Sequence, residues 1–242
     1  RRRLMRGRCP AWVRRSRTGQ SLLALRLVPA LLGAGTILLV GVLARELGGG
    51  RTAQGLAALA ALLWPVLLGI TAFYSMNAFE YAFWALGAWV VVRILDRGEP
   101  RLWLVLGGVI GLGLLNKISM SWFGLGLGVG LLLTPQRRWL ATPWPWAAAT
   151  IASVLFGPHL LWQVEHGWPT IEFMRNATTQ KMVAKSPVAF VADQLVVTHP
   201  LFAPLWLAGL ASFFITEWGR QHRILAWIWI TTFGLLLASG TV

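Results

Sequence analysis

One lysine and one glutamate lie at the ends of long apolar runs, where ionisable side chains are rare. Lys117 lies in GLGLLNKIS (residues 111–119) and is the only charged residue between positions 102 and 134. Glu80 lies in FYSMNAFEYAFW (residues 73–84), about one helical turn inside another apolar run. A lysine ammonium can bind a phosphate oxygen as a point charge, and a carboxylate can accept a proton from a hydroxyl group. Both are functional candidates by position, with an interfacial anchor whose charged end reaches water as the alternative for each.

Two further polar residues are placed to act with this pair. Arg26 stands about one turn inside the first apolar run, and Asn77 precedes Glu80 by three positions. Both would lie at the same face of the membrane as Lys117. We therefore take Arg26 and Asn77 as additional candidates for binding a substrate.

The segment PHLLWQVEHGWPTIEFMRNATTQK (residues 158–181) mixes aromatic and charged side chains. Such a mixture suits a sugar or a lipid headgroup, and an interfacial aromatic belt explains it equally well. The candidate substrate ligands in this segment are His166, Trp168 and Arg175. The spacing of His159 and His166 is only a weak indication of a metal site, so we predict no metal and no other cofactor.

Composition identifies the elements that must position these residues. The 242-residue chain is 56% hydrophobic and 12% charged, with a mean hydropathy of +0.63. A soluble domain is about 25% charged, and several apolar runs approach the ~20 residues that span a bilayer. The runs are continuous and do not alternate, which favours helices over a closed barrel. We predict an all-α, polytopic transmembrane bundle of about eight helices. The expected spans are 22–44, 53–73, 77–95, 102–116, 118–134, 144–163, 200–216 and 223–241.

The basic residues divide the connections between these spans into two sets. One set carries nine Lys and Arg residues and the other carries four. By the positive-inside rule the richer set faces the cytoplasm. Lys117, Glu80 and the long connection 164–199 then lie at the outer face. The net charge of +14 is explained by these loops and the basic tail, so we predict no nucleic-acid partner.

The N-terminal tail conflicts with this orientation. Residues 1–20 carry eight arginines and no acidic residue, yet the orientation places them outside. So basic a tail should remain in the cytoplasm, and it lacks the apolar segment of a signal peptide. We therefore expect residues 1–20 not to be native structure and residues 21–242 to be a partial core that lacks an upstream helix and loop.

Glycines four residues apart recur in two predicted spans. Gly107 and Gly111 form one such pair, and the stretch GLGLGVG (124–130) contains two more. Small residues at this spacing let helix backbones approach closely, so we interpret them as packing positions. The single cysteine, Cys9, excludes an internal disulfide and a thiolate metal cluster.

Six stretches, in order, resemble bacterial integral-membrane glycosyltransferases of family 39, a group related to protein O-mannosyltransferases and to the aminoarabinose transferase of lipid A. The resemblance runs from about residue 21 to residue 215. The stretches are 24–51, 74–95, 101–120, 130–139, 158–177 and 199–210.

The resemblance implies a GT-C membrane core with its active site at the periplasmic face of the bacterial inner membrane. It further implies a polyprenyl-phosphate-linked sugar as donor and transfer to an acceptor hydroxyl with inversion. Glu80 matches an acidic position of the active site, and Lys117 matches a ligand of the lipid phosphate. The segment from His166 to Trp168 matches a loop over the cavity. The family's main catalytic carboxylate precedes the first span and has no counterpart in residues 1–20, so we expect this chain alone to be inactive.

Two other functions remain open from the residues themselves. A secondary transporter or lipid flippase would place charges near the bilayer midplane and often contains internal repeats. Here the charges lie at helix ends and no repeat is visible. A fragment without activity is the third interpretation. The sequence names neither the sugar nor the acceptor.

Overall fold

The computed structural model describes residues 22–180 and 185–239, and every regular element within them is a helix. The basic tail and Lys181 lie outside the described residues. The α-helices are α1 Leu22–Glu46, α2 Arg51–Leu62, α3 Pro65–Thr71, α4 Met76–Arg97, α5 Leu102–Asn116, α6 Met120–Leu133, α7 Pro143–Glu165, α8 Pro169–Gln180, α9 Pro187–Val197, α10 Ala203–Ile215, α11 Glu217–Gln221 and α12 Arg223–Ser239. Short 3₁₀ turns at Pro135–Ala141 and Pro200–Phe202 precede α7 and α10.

The predicted all-α membrane bundle is confirmed. Among the described helices, α1, α4 and α7 are each long and apolar enough to cross a bilayer, and two bent pairs qualify when each pair is taken as one span. The helices α5, α6 and α12 are apolar but shorter. All eight apolar segments are therefore helical, while length and composition support three to five complete spans.

The predicted span 53–73 consists of two helices, which together qualify as one bent span, because the helix breaks before Pro65. The residue before a proline is driven out of the helical region by the proline ring, and Trp64 is extended, with φ −70° and ψ 113°. Helices α2 and α3 meet there at 59°. The proline then occupies the first turn of α3, where its missing N–H leaves no hydrogen bond unmade.

The long connection 164–199, predicted as a loop, contains two helices. Helix α8 follows α7 after a short turn, and α9 precedes the span predicted at 200–216. Helices α9 and α10 meet at 94°. The corner is at His199, whose φ of +71° is unusual for a residue with a side chain, and Pro200 follows it.

Contacts between side chains establish which helix ends lie together. Arg93, near the end of α4, donates to Glu46 at the end of α1, with 3.0 Å between Nη2 and Oε1. Nε2 of His222, just before α12, lies 2.7 Å from Oδ1 of Asp96. These two contacts gather several of the arginine-rich connections at one end of the bundle. Lys117 and Glu80 lie at the other end.

Glycines set the closest helix contacts. Helices α5 and α7 run in the same direction, and a Cβ added at Gly107 would lie 2.5 Å from the carbonyl oxygen of Ala148. A Cβ at Gly126 of α6 would lie 2.7 Å from the Cα of Ile228 in α12. Gly124, on another face of α6, meets no neighbour within 4 Å. Only some of the predicted packing glycines therefore allow close approach.

Candidate functional site

The site forms where the end of α5 meets the start of α4. The α5 helix ends at Asn116, whose side-chain amide donates to the carbonyl oxygen of Met76 over 2.9 Å. Lys117 follows in an extended conformation, with φ −157° and ψ 132°. This change of direction turns the lysine side chain from the axis of α5 towards α4.

The ammonium group of Lys117 is held by two residues on one face of α4. Its Nζ donates to Oε2 of Glu80 over 2.6 Å and to Oδ1 of Asn77 over 2.9 Å. Asn77 and Glu80 are three residues apart and therefore neighbours on the helix surface. An ammonium group has three N–H donors, so one remains for a further acceptor. The Lys117 side chain is 33% exposed, which leaves that donor a route to solvent or to a ligand.

Glu80 is engaged on both carboxylate oxygens. Oε2 accepts from Lys117, and Oε1 accepts from the hydroxyl group of Ser119. Its side chain is only 14% exposed. A carboxylate that accepts on both oxygens holds the Lys117 ammonium group and the Ser119 hydroxyl group in place.

An apolar groove lies along the same face of α4 as this cluster. Trp84 and Ala88 stand four and eight residues after Glu80 and so continue its face of α4. Trp84 lines a cavity of about 500 Å³, and both residues line a second cavity of about 400 Å³. Trp84 also packs edge-on against Phe123 of α6, with 5.4 Å between the ring centroids.

The two cavities are adjoining parts of one groove, because Trp84, Trp206 and Trp229 line both. Residues of α1, α2 and α4 line it together with residues of α10 and α12. Gln194 and Thr198, at the end of α9, are polar residues of this lining, beside Trp64. The groove is thus apolar except at Thr232 and at this end of α9.

Helix α9 is fixed across this polar end. The indole N–H of Trp64 donates to the carbonyl oxygen of Val197 over 3.0 Å. Phe190, which is buried, packs edge-on against Phe233 of α12 at 5.3 Å. The α9 helix therefore contacts two residues of the groove lining, Trp64 and Phe233.

The remaining candidates are not brought to Lys117. Arg26 is exposed on α1 and forms no hydrogen bond or ion pair within the described part of the chain. The His166 ring stacks on Trp162 at 4.5 Å, and its Nδ1 lies 2.8 Å from the Trp162 carbonyl oxygen. Trp168 is exposed at the turn between α7 and α8, and Arg175 is exposed on α8. Their substrate-binding roles stay predictions, and Glu80, Asn77 and Lys117 form the assembled site.

Sequence reasoning missed Ser119 and His222. Ser119 follows Lys117 by two positions, and its place in a polar break between two apolar runs was the available signal. His222 is 1% exposed, and its partner Asp96 lies at the exposed end of α4. Since Asp96 and His222 are far apart in sequence, no local pattern indicated their pairing.

A family model described as dolichyl-phosphate-mannose-protein mannosyltransferase matches residues 15–162 of the chain. No curated protein and no solved structure matches the chain. The matched stretch includes α1 to α6 and most of α7, and therefore Asn77, Glu80, Lys117 and Ser119.

Proposed function

Because the match covers more than half of the sequence, the chain belongs to the dolichyl-phosphate-mannose-protein mannosyltransferase family, and we propose that it serves the transfer of a sugar from a polyprenyl phosphate to an acceptor hydroxyl. The family consists of membrane glycosyltransferases that use polyprenyl-phosphate sugar donors. The proposal adds a binding mode for the donor, the face of the membrane and the role of each residue in the cluster.

One observation carries this proposal. The face of α4 that presents Glu80 and Asn77 to the Lys117 ammonium also presents Trp84 and Ala88 to the apolar groove. A polyprenyl phosphate divides in the same way, into an anionic head and a long apolar chain. The phosphate would bind at Lys117 and the chain would lie along the groove.

Lys117 is suited to the leaving group of the reaction. When the acceptor oxygen attacks the anomeric carbon, the bond from that carbon to the phosphate oxygen breaks and the electron pair leaves with the phosphate. The phosphate departs as an anion and requires electrostatic stabilisation rather than a proton. A fixed ammonium group provides more stabilisation as charge develops than it does in the ground state.

Glu80 is best placed to position Lys117. The acceptor hydroxyl must lose its proton to a base, a role that the resemblance gives to the family's main catalytic carboxylate. Both oxygens of Glu80 already accept hydrogen bonds from Lys117 and Ser119. We assign the carboxylate the role of fixing the ammonium group and compensating its charge before the donor arrives. The catalytic role predicted for Glu80 from the sequence stays a prediction.

The distribution of arginines supports an outer location for the site. Arg93 and Arg97, at the end of α4 away from Glu80, belong to the set of connections that is richer in Lys and Arg. The positive-inside rule assigns such connections to the cytoplasm. Lys117 and the mouth of the groove would then face the periplasm of a bacterial cell, with the chain in the inner membrane. The acceptor would reach the site from that side.

Transfer from a radiolabelled polyprenyl-phosphate hexose, measured in vesicles containing the complete protein, tests this function. A charge-assisted hydrogen bond contributes about 1.5–3 kcal/mol, so Lys117→Ala should lower kcat/KM by roughly 10- to 150-fold. Lys185→Ala is the matched control, because Lys185 is another outer lysine in an ion pair, with Asp193 on α9, and should retain activity.

Binding of a polyprenyl phosphate without sugar separates the two parts of the proposal. Lys117→Ala should weaken this binding, while Lys185→Ala should not. Equal transfer and equal binding by the wild type and Lys117→Ala would contradict the assignment of the phosphate to Lys117. A wild type that binds the lipid phosphate but transfers sugar to no acceptor would contradict the transferase function alone.

A further inference from the structure

Helix α8 exposes large apolar side chains although it follows a membrane-spanning helix. Ile171, Phe173 and Met174 are 44%, 63% and 51% exposed. The helix does not pack along any other helix in the described part of the chain. An exposed apolar patch of this kind marks a surface that contacts a protein or a membrane.

The side chains of α8 divide into two faces. At about 3.6 residues per turn, Phe173, Met174 and Ile171 fall within one half of the helix. The charged residues Glu172 and Arg175 occupy the other half, together with Asn176 and Thr179. Thr178 and the buried Ala177 lie on the apolar half, between and beside the exposed apolar side chains. Such a division is the pattern of a helix that lies in the plane of a membrane surface.

The start of α8 is fixed to the end of α7. Gln163 is buried at 4% exposure, and its Oε1 accepts from the backbone N–H of Thr170 over 3.2 Å. The backbone N–H of Trp168 donates to the carbonyl oxygen of Gln163 over 2.8 Å. Gly167 and Trp168 both have positive φ, of 72° and 63°, which turns the chain sharply. The apolar face of α8 is therefore held in a defined direction.

The end of α7 also fixes the depth of α8. Helix α7 has 23 residues, which at 1.5 Å per residue gives a length of about 35 Å, close to the ~30 Å of a hydrocarbon core. Leu161 and Val164, near its end, are 67% and 58% exposed and belong to the lipid-facing surface. Trp168 continues this surface at 43% exposure, and tryptophan favours the membrane interface.

From these observations we propose that α8 is an interfacial helix that inserts Ile171, Phe173 and Met174 into the lipid surface at the end of α7. Glu172 and Arg175 carry opposite charges, so burial of apolar surface is the driving force and attraction to anionic lipid is minor. The occupant of this face is the bilayer itself, and the proposal does not depend on the transferase reaction.

Nitroxide labels on the complete protein test this placement. In a Cys9→Ser background, single cysteines replace Phe173 and Met174 on one face and Asn176 and Thr179 on the other. The protein is reconstituted in phosphatidylcholine vesicles, and collisions with oxygen and with a water-soluble nickel chelate are measured. Labels at 173 and 174 should collide more with oxygen and labels at 176 and 179 more with nickel. Anionic phosphatidylglycerol at about 30% of the lipid should leave this pattern unchanged.

A pair of charge variants provides the matched control. Phe173→Asp and Asn176→Asp add the same charge to α8, one on each face. Phe173→Asp should move a label at 174 from the oxygen-rich to the nickel-rich environment, while Asn176→Asp should not. Equal nickel access on both faces would overturn the proposal, and so would a face closed to both reagents, which would indicate a protein contact.

Discussion

The packing of α5 determines where Lys117 lies, and Gly107 is the residue that tests it. Gly107 stands in the middle of α5 against Ala148 of α7. A Cβ there would lie 2.5 Å from the Ala148 carbonyl oxygen and 2.7 Å from its Cα. Both are backbone atoms, so no side-chain rotation relieves the overlap. Gly107→Ala must therefore separate the two helices.

The expected cost follows from two opposing effects. Overpacking a close contact costs about 1–3 kcal/mol, and a backbone clash belongs to the upper part of that range. Replacing glycine by alanine inside a helix stabilises the folded state by up to about 1 kcal/mol. Gly107→Ala should therefore lower the free energy of unfolding by about 1–2 kcal/mol. A Cβ added at Gly108 would have no neighbouring atom within 4 Å. Gly108→Ala should therefore raise the free energy of unfolding by up to about 1 kcal/mol.

Reversible unfolding of the complete chain in mixed micelles, followed by far-ultraviolet circular dichroism, measures both variants against the wild type. The two substitutions make the same chemical change one residue apart. Only the contact with α7 differs between them. Equal unfolding free energies for Gly107→Ala and Gly108→Ala would refute the close approach of α5 to α7.

Two further substitutions probe the two ends of the bundle. His222→Ala removes a buried ring and its contact with Asp96. In the same micelles it should lower the free energy of unfolding by about 1–3 kcal/mol. An unchanged free energy of unfolding would mean that this contact does not join α4 to α12. Glu80→Gln, assayed by steady-state transfer, should lower kcat/KM for the donor about tenfold, because it weakens the hold on Lys117 by about 1.4 kcal/mol. A turnover rate lowered by roughly two to four orders of magnitude would instead indicate that Glu80 is the general base.

The sequence predicts the spans well where charges bound an apolar run. Helix α5, Leu102–Asn116, has the predicted limits, because Arg101 and Lys117 stand at its two ends. Within the predicted span 53–73 the helix bends at Trp64, because Pro65 follows it, and the run of apolar residues alone does not indicate this break. Helix α8 was missed because average hydropathy conceals a short helix with one polar face.

The site was predictable in its residue types and not in its pairing. Glu80 and Lys117 attract attention because each is an ionisable residue in apolar surroundings, but they are 37 residues apart. Their contact depends on how far α4 and α5 are offset along their axes, and Asn116 fixes that offset through Met76. Which of the glycines approach another helix depends on the same offsets. Local sequence patterns do not encode such distances.

The contact between Lys117 and the donor phosphate is the central claim, and solid-state NMR measures it directly. The complete protein, labelled with ¹⁵N at its lysine side chains, would be reconstituted with a polyprenyl phosphate, and nitrogen–phosphorus dipolar coupling recorded. A charge-assisted bond places nitrogen about 2.8 Å from a phosphate oxygen, so one lysine should show strong coupling that is lost in Lys117→Arg and retained in Lys185→Arg. Strong coupling that persists in Lys117→Arg, or no coupling in a wild type saturated with the lipid, would contradict the claim.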